Sequence, residues 1–344
     1  MGFEKQPHHS PDKPEIAFFS ELSAEKLSGV YTKQVVEELG KQQYRISLAI
    51  PDFSKERASL VRTLNSENVP LEVWLLLPKK EGYWFNTDNY IKAISRYEEF
   101  KKWQGTNKLR FDAVGFDMEP SLSLMQDWLK TEFLPQKLQR MIQGRASKET
   151  VLRATSAYNQ LANLARKDGF KIHTYHFPHI LDERKAGGQI IRQLFHIPDI
   201  TAERDVFMTY STGYDEILGM NLQGAAVHGY PDAKCVGLGI TGAGVDLGDN
   251  SKVLSFEELA RDIRLASVFA QAIYIYSLEG SVKQGYFKKI KDVKAETVQI
   301  PPFQRMAIQM MRLSIQAISS LDRLSQKTPA PARRKSLEFN ENQV

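Results

Sequence analysis

Hydrophobic residues fall along the chain in short runs rich in β-branched and aromatic side chains, and longer segments with helical spacing lie between the runs. Eight runs are predicted to be strands: 15–21, 44–50, 71–78, 111–119, 171–177, 205–211, 235–241 and 272–278. Strands separated by helix-length segments indicate βα units and a parallel sheet. Eight units in 344 residues favour a single α/β domain, a (β/α)8 TIM barrel. An open doubly wound sheet is the alternative, but no phosphate-binding glycine fingerprint follows the first run.

Two parts of the chain exceed this simple pattern. Residues 120–170 contain at least two helical segments, which predicts a helical insertion after strand 4. A further helix is predicted after the last strand, with apolar residues at helical spacing: Phe303, Met306, Met310, Leu313, Ala317, Leu321 and Leu324. We expect this helix to close the outer ring of helices; a helix that binds a partner is the alternative. A Ser255 and Glu258 capping box predicts the start of another helix.

The two ends of the chain differ from the rest. Residues 1–13 and 326–344 are polar and rich in proline or basic residues, so we expect disorder on either side of a barrel spanning 14–325. The start lacks the apolar core of a signal peptide, and no apolar run approaches the ~20 residues of a membrane span. These features predict a cytoplasmic protein without a membrane partner.

Composition narrows the class of protein further. The chain is 42% hydrophobic and 25% charged, which is ordinary for a globular domain. Its net charge of +5 is small and spread out, so no nucleic-acid partner is expected. A single cysteine, Cys235, excludes an intramolecular disulfide framework and is expected to be a small core residue.

The fourth predicted strand, "FDAVGFDMEP", carries the most informative pattern. Its two faces alternate: Val114, Phe116 and Met118 on one, and Ala113, Gly115, Asp117 and Glu119 on the other. Polarity appears only at the C-terminal end, which is typical of a parallel strand buried on both faces with its acids at the barrel mouth. Two close carboxyls shift each other's pKa, so one can stay protonated as a general acid. The alternative is that these acids cap a helix or pair with arginine.

Other polar residues follow the predicted strands, and we expect Glu21, His176, Tyr210 and Glu279 to lie near the same mouth. The segment after strand 3, "EGYWFNTDNY", could present Tyr83 and Trp84 as platforms for sugar rings. Alternatively, its aromatic residues pin the loop to the barrel.

Three histidines follow one another at intervals of three residues: His173, His176 and His179. On a strand, His176 points away from the other two, so neither a metal site nor any other cofactor is expected. His176 is instead predicted to form hydrogen bonds in a sugar site.

"FDAVGFDME" resembles the fourth-strand signature of family-18 glycoside hydrolases, the chitinase-like barrels, F-D-G-[I/V]-D-[L/F]-D-x-E. Gly115 stands where that family has the first Asp of its D-x-D-x-E core. "FMTYST" is similar to the family's sixth-strand Met-x-Tyr, through Met208 and Tyr210. "IYIYSLEG" resembles its closing strand, with Tyr276 in place of Trp.

The resemblance implies a glycosidase that acts on a carbohydrate, retaining and substrate-assisted on a 2-acetamido sugar. Glu119 would protonate the glycosidic oxygen, Asp117 would orient the acetamido group, and Tyr210 would donate a hydrogen bond to it. The seventh strand offers no carboxylate nucleophile; Glu279 is a substitute, or simply a loop acid. Two other functions remain open: a chitinase-like barrel that binds sugar without catalysis, and a metal-assisted hydrolase or isomerase using Glu21, Asp117, Glu119 and His176.

Overall fold

A computed structural model describes residues 13–130, 134–212, 222, 224–242, 252–294 and 296–327. Eight parallel strands close into a barrel in sequence order, with β8 pairing back to β1. The strands are β1 (Glu15–Ser20), β2 (Arg45–Ile50), β3 (Leu71–Leu75), β4 (Ala113–Asp117), β5 (Lys171–His176), β6 (Arg204–Met208), β7 (Cys235–Gly239) and β8 (Ala272–Tyr276). The predicted (β/α)8 barrel is confirmed. The predicted runs extend past the strand ends by up to three residues, where the chain turns into the loops of the mouth.

Helices follow the strands around the barrel. They are α1 (Leu27–Val30), α2 (Lys33–Gln42), α3 (Lys55–Ser66), α4 (Tyr90–Asn107), α5 (Leu122–Leu129), α6 (Leu134–Gly144), α7 (Lys148–Lys167), α8 (His179–Ala186), α9 (Ile190–Phe195), α10 (Ala225–Gly229), α11 (Phe256–Ala266), α12 (Leu278–Lys283) and α13 (Pro302–Lys327). The predicted insertion after strand 4 is confirmed as α5, α6 and α7. Ser255 and Glu258 form the predicted capping box at the start of α11.

Side-chain alternation along the strands creates two separate cores. Outward-facing residues such as Phe18, Leu48 and Val114 pack against the helices. Inward-facing residues fill the lumen, where Phe19, Tyr175 and their neighbours are almost completely buried. The predicted faces of β4 are as expected, because its apolar set belongs to the outer core.

The lumen also contains a buried polar network centred on Glu72 of β3. The Glu72 carboxylate contacts the His173 ring and accepts hydrogen bonds from the hydroxyls of Tyr175 at 2.7 Å and Tyr274 at 3.1 Å. Although burial opposes ionisation, His173 and the other donors hold the pKa of Glu72 at about 2. One carboxylate therefore connects β3, β5 and β8 across the lumen.

A second set of charges closes the N-terminal end of the barrel. Glu15 accepts hydrogen bonds from Arg45 at 2.5 Å and from Arg204 at 3.0 Å. Arg204 also donates to the Tyr274 hydroxyl at 2.9 Å, which links this layer to the network around Glu72. Charged side chains thus fill the lumen below the aromatic layer, and each ion has a partner of opposite charge.

Gly115 leaves room for the ring of Tyr175. A Cβ at position 115 would lie 2.0 Å from the Tyr175 hydroxyl oxygen. Tyr175 cannot easily retreat, because its hydroxyl is within hydrogen-bond distance of Ser47 at 2.6 Å and donates to Glu72. A larger residue at position 115 is therefore incompatible with the lumen as packed.

The C-terminal helix α13 closes the outer ring next to α8, α9 and α10. It does so through Ile308, Met311 and Ile315, and through an ion pair of Arg312 with Asp182 at 2.8 Å. The apolar stripe identified in the sequence lies on the opposite face of the helix, exposed to solvent. The predicted position of the helix is right, but the face that packs is the other one.

The predicted disordered ends lie largely outside the described residues, which begin at Lys13 and end at Lys327. Helix α13 continues two residues past the predicted barrel boundary at 325. Among the described helices, none is both long and apolar enough to cross a membrane.

Gly115→Ala should destabilise the barrel by about 1–3 kcal/mol, because the added methyl group overpacks the lumen against Tyr175. Urea denaturation measures the change in the free energy of unfolding. Gly105→Ala is the matched control: it lies in α4 with no atom within 4 Å of an added Cβ, and should be neutral or slightly stabilising. If both substitutions changed the free energy of unfolding equally, the lumen would accommodate the added methyl group at position 115 without loss of stability.

Candidate active site

Two acidic residues at the end of β4 are held firmly at the barrel mouth. The carbonyl of Asp117 accepts a hydrogen bond from the Phe85 N–H at 2.8 Å, and the Met118 N–H donates to Tyr175 at 3.0 Å. Backbone pairing therefore continues past the last strand residue, and Pro120 keeps the backbone of Glu119 extended. Asp117 is buried, whereas Glu119 is 9% exposed, so Glu119 lies on the mouth side of the pair.

Asp117 and Glu119 form a hydrogen-bonded carboxyl pair. Burial raises the pKa of Asp117 well above its usual range, and the negative charges of Glu119 and Glu21 raise it further. Burial and the charge of Glu21 also raise the pKa of Glu119 to about 7, although its hydrogen bond with Asp117 lowers it. The pair therefore retains a proton in the neutral pH range, and one carboxyl can donate while the other accepts.

A third carboxylate, Glu21, follows β1 and is positioned by two tyrosines. The hydroxyls of Tyr83 and Tyr276 both donate to it, one to each carboxylate oxygen. Gly82 at φ 106° and Tyr83 at φ 68° make the tight turn that brings the Tyr83 side chain over the mouth. The orientation of Glu21 is thus fixed by β8 and by the loop after β3.

Glu279, at the start of α12, supports Glu21 from behind. Its Oε1 accepts a hydrogen bond from the Glu21 backbone N–H at 2.9 Å. Its Oε2 is buried, and burial raises the pKa of Glu279 to about 7. The contacts indicate that Glu279 positions the Glu21 backbone.

Tyr210 completes the group of residues at the mouth. Its ring centroid lies 6.0 Å from that of Tyr276. Burial raises the pKa of Tyr210, and the charges of Glu119, Asp117 and Glu21 raise it further. The close approach of the Tyr210 ring requires a small residue in β7, since a Cβ at Gly237 would lie 3.2 Å from it. The structure therefore brings Asp117, Glu119, Tyr210 and Tyr276 together.

The arrangement differs from that of ordinary strand-end acids. Helix α5 is capped by Ser121, whose side chain accepts from the Leu124 N–H, so neither acid serves as the cap. Within the described ranges, no lysine or arginine forms an ion pair with Asp117 or Glu119. Negative groups and phenols converge here without a compensating cation, an arrangement that is costly unless protons are shared.

His176 does not belong to this site, and the prediction that it does is wrong. It lies on the outward face of β5, fully buried, with its ring centroid 6.4 Å from that of Phe207. Burial, together with the nearby Arg184, lowers the pKa of His176 to about 4, so the ring is neutral. Strand alternation carries the side chain away from the mouth.

The aromatic loop after β3 is pinned to the barrel rather than open to solvent. Trp84 is 5% and Tyr83 6% exposed, and their ring centroids lie 5.5 Å apart. Trp84 packs into the lumen core and cannot form the expected open platform for a sugar ring. Met208 is buried against the β7 backbone, below Tyr210, and serves as packing beneath the mouth.

Two features of the lumen were not foreseen from the sequence. Trp74 of β3 lies beside Asp117 and partly offsets the rise in its pKa. Glu72 and His173 form the buried pair beneath the site. A charged residue inside the apolar run "LEVWLLLP", two positions before a tryptophan on the same face, was a readable signal for both Glu72 and Trp74.

The metal-assisted alternative requires several ligand side chains that converge on one point. Across the part of the chain that the structure describes, no group of three or more His, Cys, Asp or Glu residues is placed to hold a metal ion. The oxygens of Glu21 are engaged by tyrosine hydroxyls, and His176 faces the helices. The residues proposed for a metal site do not form one.

No family model matches the sequence, and no curated protein does. Solved structures with a similar fold include D-allulose 3-epimerase from Methylomonas sp., 13% identical over 88% of this chain and 99% of that chain, TM-score 0.43. A xylose isomerase-like TIM barrel from Mycobacterium smegmatis in complex with magnesium is 14% identical, covering 82% and 97%, TM-score 0.42. The xylanase and alpha-amylase inhibitor protein XAIP-II from Scadoxus multiflorus is 8% identical, covering 82% and 100%, TM-score 0.44. At these values the similarity is one of barrel architecture.

The expected membership in family 18 is wrong. Sugar epimerases and a xylose isomerase-like protein are among the similar barrels. The first Asp of the family signature would also meet Tyr175 at position 115. The expected glycosidase activity, with its substrate-assisted scheme, is wrong on the same findings.

Glu279→Gln should change how stability depends on pH. The pKa of Glu279 is about 7 in the fold against an ordinary 4.5, so between these values the folded chain binds more protons than the unfolded chain. The contribution of the Glu279 carboxyl to the free energy of unfolding therefore falls as pH rises from about 4.5 to about 7. The variant should gain up to about 3 kcal/mol relative to wild type between pH 5 and pH 8.

Urea denaturation at several pH values measures this gain. Glu149→Gln, at an exposed position of α7, is the control and should run parallel to wild type. If the free energy of unfolding of Glu279→Gln followed the same pH dependence as that of wild type, the raised pKa of Glu279 would be contradicted.

Proposed function

We propose that this chain is an isomerase that moves a proton on a small carbohydrate, with Glu119 and Asp117 as the acid–base pair. The observation that carries the proposal is the pair of neighbouring carboxyls buried together at the barrel mouth, where burial raises the pKa of both. Of the alternatives raised by the sequence, the isomerase is kept without the metal, because the donor arrangement described above does not form a metal site.

The pair suits proton transfer at carbon. An ionised Glu119, on the mouth side, can remove the proton from the carbon next to a sugar carbonyl and return it to the carbonyl carbon, while the proton of the hydroxyl on the first carbon passes to the former carbonyl oxygen. Negative charge then develops on the carbonyl oxygen, which needs hydrogen-bond donors. We assign this role to the protonated Asp117 carboxyl and the Tyr210 hydroxyl.

The spacing of the pair does not suit two-carboxylate hydrolysis. Retaining glycosidases place their carboxyls about 5 Å apart and inverting ones further, to leave room for the sugar or a water. Asp117 and Glu119 are within hydrogen-bond distance of each other. Because Asp117 and Glu119 are this close, they share one proton. This arrangement favours the transfer of a proton between adjacent atoms of the substrate.

A carbohydrate suits the lining of the mouth. The carboxylate of Glu21 and the carboxyl pair supply acceptors for sugar hydroxyls, while the rings of Tyr210 and Tyr276 supply apolar surface. No cation forms an ion pair with Asp117 or Glu119 in the described part of the chain, which disfavours a phosphorylated or carboxylated substrate.

The test is exchange of solvent deuterium into unphosphorylated aldoses and ketoses, followed by NMR at the carbon next to the carbonyl. Wild type should label at least one sugar and form its isomer. Glu119→Gln should reduce labelling by about 10²–10⁴-fold, since Gln cannot carry the proton. Glu149→Gln, far out on α7, should leave the rate unchanged. A wild-type protein that labels no sugar in the panel would overturn the proposal.

Glu21→Gln should shift the pH profile of kcat/KM to lower pH. If Glu119 is the base, activity requires its ionised form and falls as pH drops through the pKa of about 7. The charge of Glu21 raises that pKa, so removing the charge lowers it. Tyr83→Phe, which keeps the carboxylate and removes one hydroxyl, is the comparison. An unshifted midpoint in the Glu21 variant would exclude Glu119 as the titrating base.

A further inference from the structure

The outward face of α13 is unusually apolar for a surface helix. Its exposed large side chains are Phe303 (62%), Met306 (55%), Met310 (58%), Leu313 (51%), Ile318 (51%), Leu321 (66%) and Leu324 (55%). Amphipathic surface helices normally turn their apolar stripe inward and their charges outward. This helix does the reverse over much of its length, because Arg312 and Gln316 point inward and bind Asp182.

The spacing of the stripe is that of a helix–helix seam. Positions 303, 306, 310, 313 and 317 alternate steps of three and four residues, which matches the a and d positions of a heptad repeat. Such a stripe winds slowly around its helix, and two helices that pair along it form a left-handed supercoil. The pattern therefore indicates another helix as the natural partner.

The residues along the edges of the stripe favour protein over lipid. Between Met306 and Leu321 the exposed polar positions are Gln309 and Ser314, which are uncharged. A helix that lies on a membrane is typically flanked by lysine and arginine on its polar face. An apolar centre with exposed charges only near the ends of the stripe, at Arg305 and Arg323, is instead the anatomy of a protein interface.

We propose that two copies of this chain pair through the outward faces of their α13 helices. The exposed apolar side chains offer on the order of 600–700 Å² per copy, close to the ~800 Å² per partner of a standard stable interface. The same patch meets itself in a two-fold dimer, so one surface suffices. The pairing does not involve the barrel mouth, and it is independent of the proposed reaction.

Sedimentation velocity of the full chain over a range of concentrations tests the pairing. Wild type should sediment as a dimer, and Met310→Glu and Leu313→Glu should sediment as monomers with an unchanged circular-dichroism spectrum, because both side chains are exposed. Ile91→Glu, at a 67% exposed position of α4, is the matched control and should remain a dimer. Because the contact is apolar, raising the salt concentration should not dissociate it.

Disulfide trapping locates the contact. Leu313 lies at the middle of the stripe, so Leu313→Cys should form an intermolecular disulfide in either helix orientation, while Ile91→Cys should not. A wild-type chain that stays monomeric would overturn the proposal. So would a dimer that persists in Met310→Glu and Leu313→Glu, or a monomer that instead co-sediments with anionic phospholipid vesicles.

Discussion

The Glu72 carboxylate is the contact on which the interior of the barrel depends. It receives hydrogen bonds from β5 and β8 while belonging to β3, so it joins strands that do not neighbour one another. Removing one partner would leave a buried charge uncompensated, which typically costs 3–5 kcal/mol (a rough range). The hydroxyls it binds fix the rings of Tyr175 and Tyr274, and those rings form the floor of the mouth. The geometry of the site therefore begins two layers beneath it.

The two ends of the lumen treat charge in opposite ways. At the N-terminal end, Arg45 and Arg204 neutralise Glu15, and the carboxylate is ionised with a lowered pKa despite its burial. At the mouth, Asp117 and Glu119 have no such cation among the residues described, and burial raises both pKa values. The same residue types are thus structural ions below and proton carriers above. The difference lies in their neighbours.

Sequence alone predicted the barrel and the pair on β4, because both follow from alternation along single strands. Strand alternation also predicted that His176 points away from His173 and His179. His176 was nevertheless predicted to lie in the site because it is a polar residue at the end of a strand. Trp84 was ambiguous since burial of a loop depends on distant packing. The family resemblance was misleading at Gly115. Which residue fits at position 115 depends on the ring of Tyr175, sixty residues away along the chain. Local sequence patterns identify the two faces of a strand. Which ring fills the barrel lumen depends instead on tertiary packing.

The composition of the α13 stripe bears on selectivity. Met306 and Met310 are unbranched, and their side chains can reshape to fit more than one opposing surface. Charged residues are absent from the centre of the stripe and so cannot penalise a mismatched register. A surface of this kind can bind apolar surfaces of different shapes. Discrimination between a second copy and other apolar helices therefore rests on the bulk of the barrel behind α13, which limits how closely a differently shaped molecule can approach.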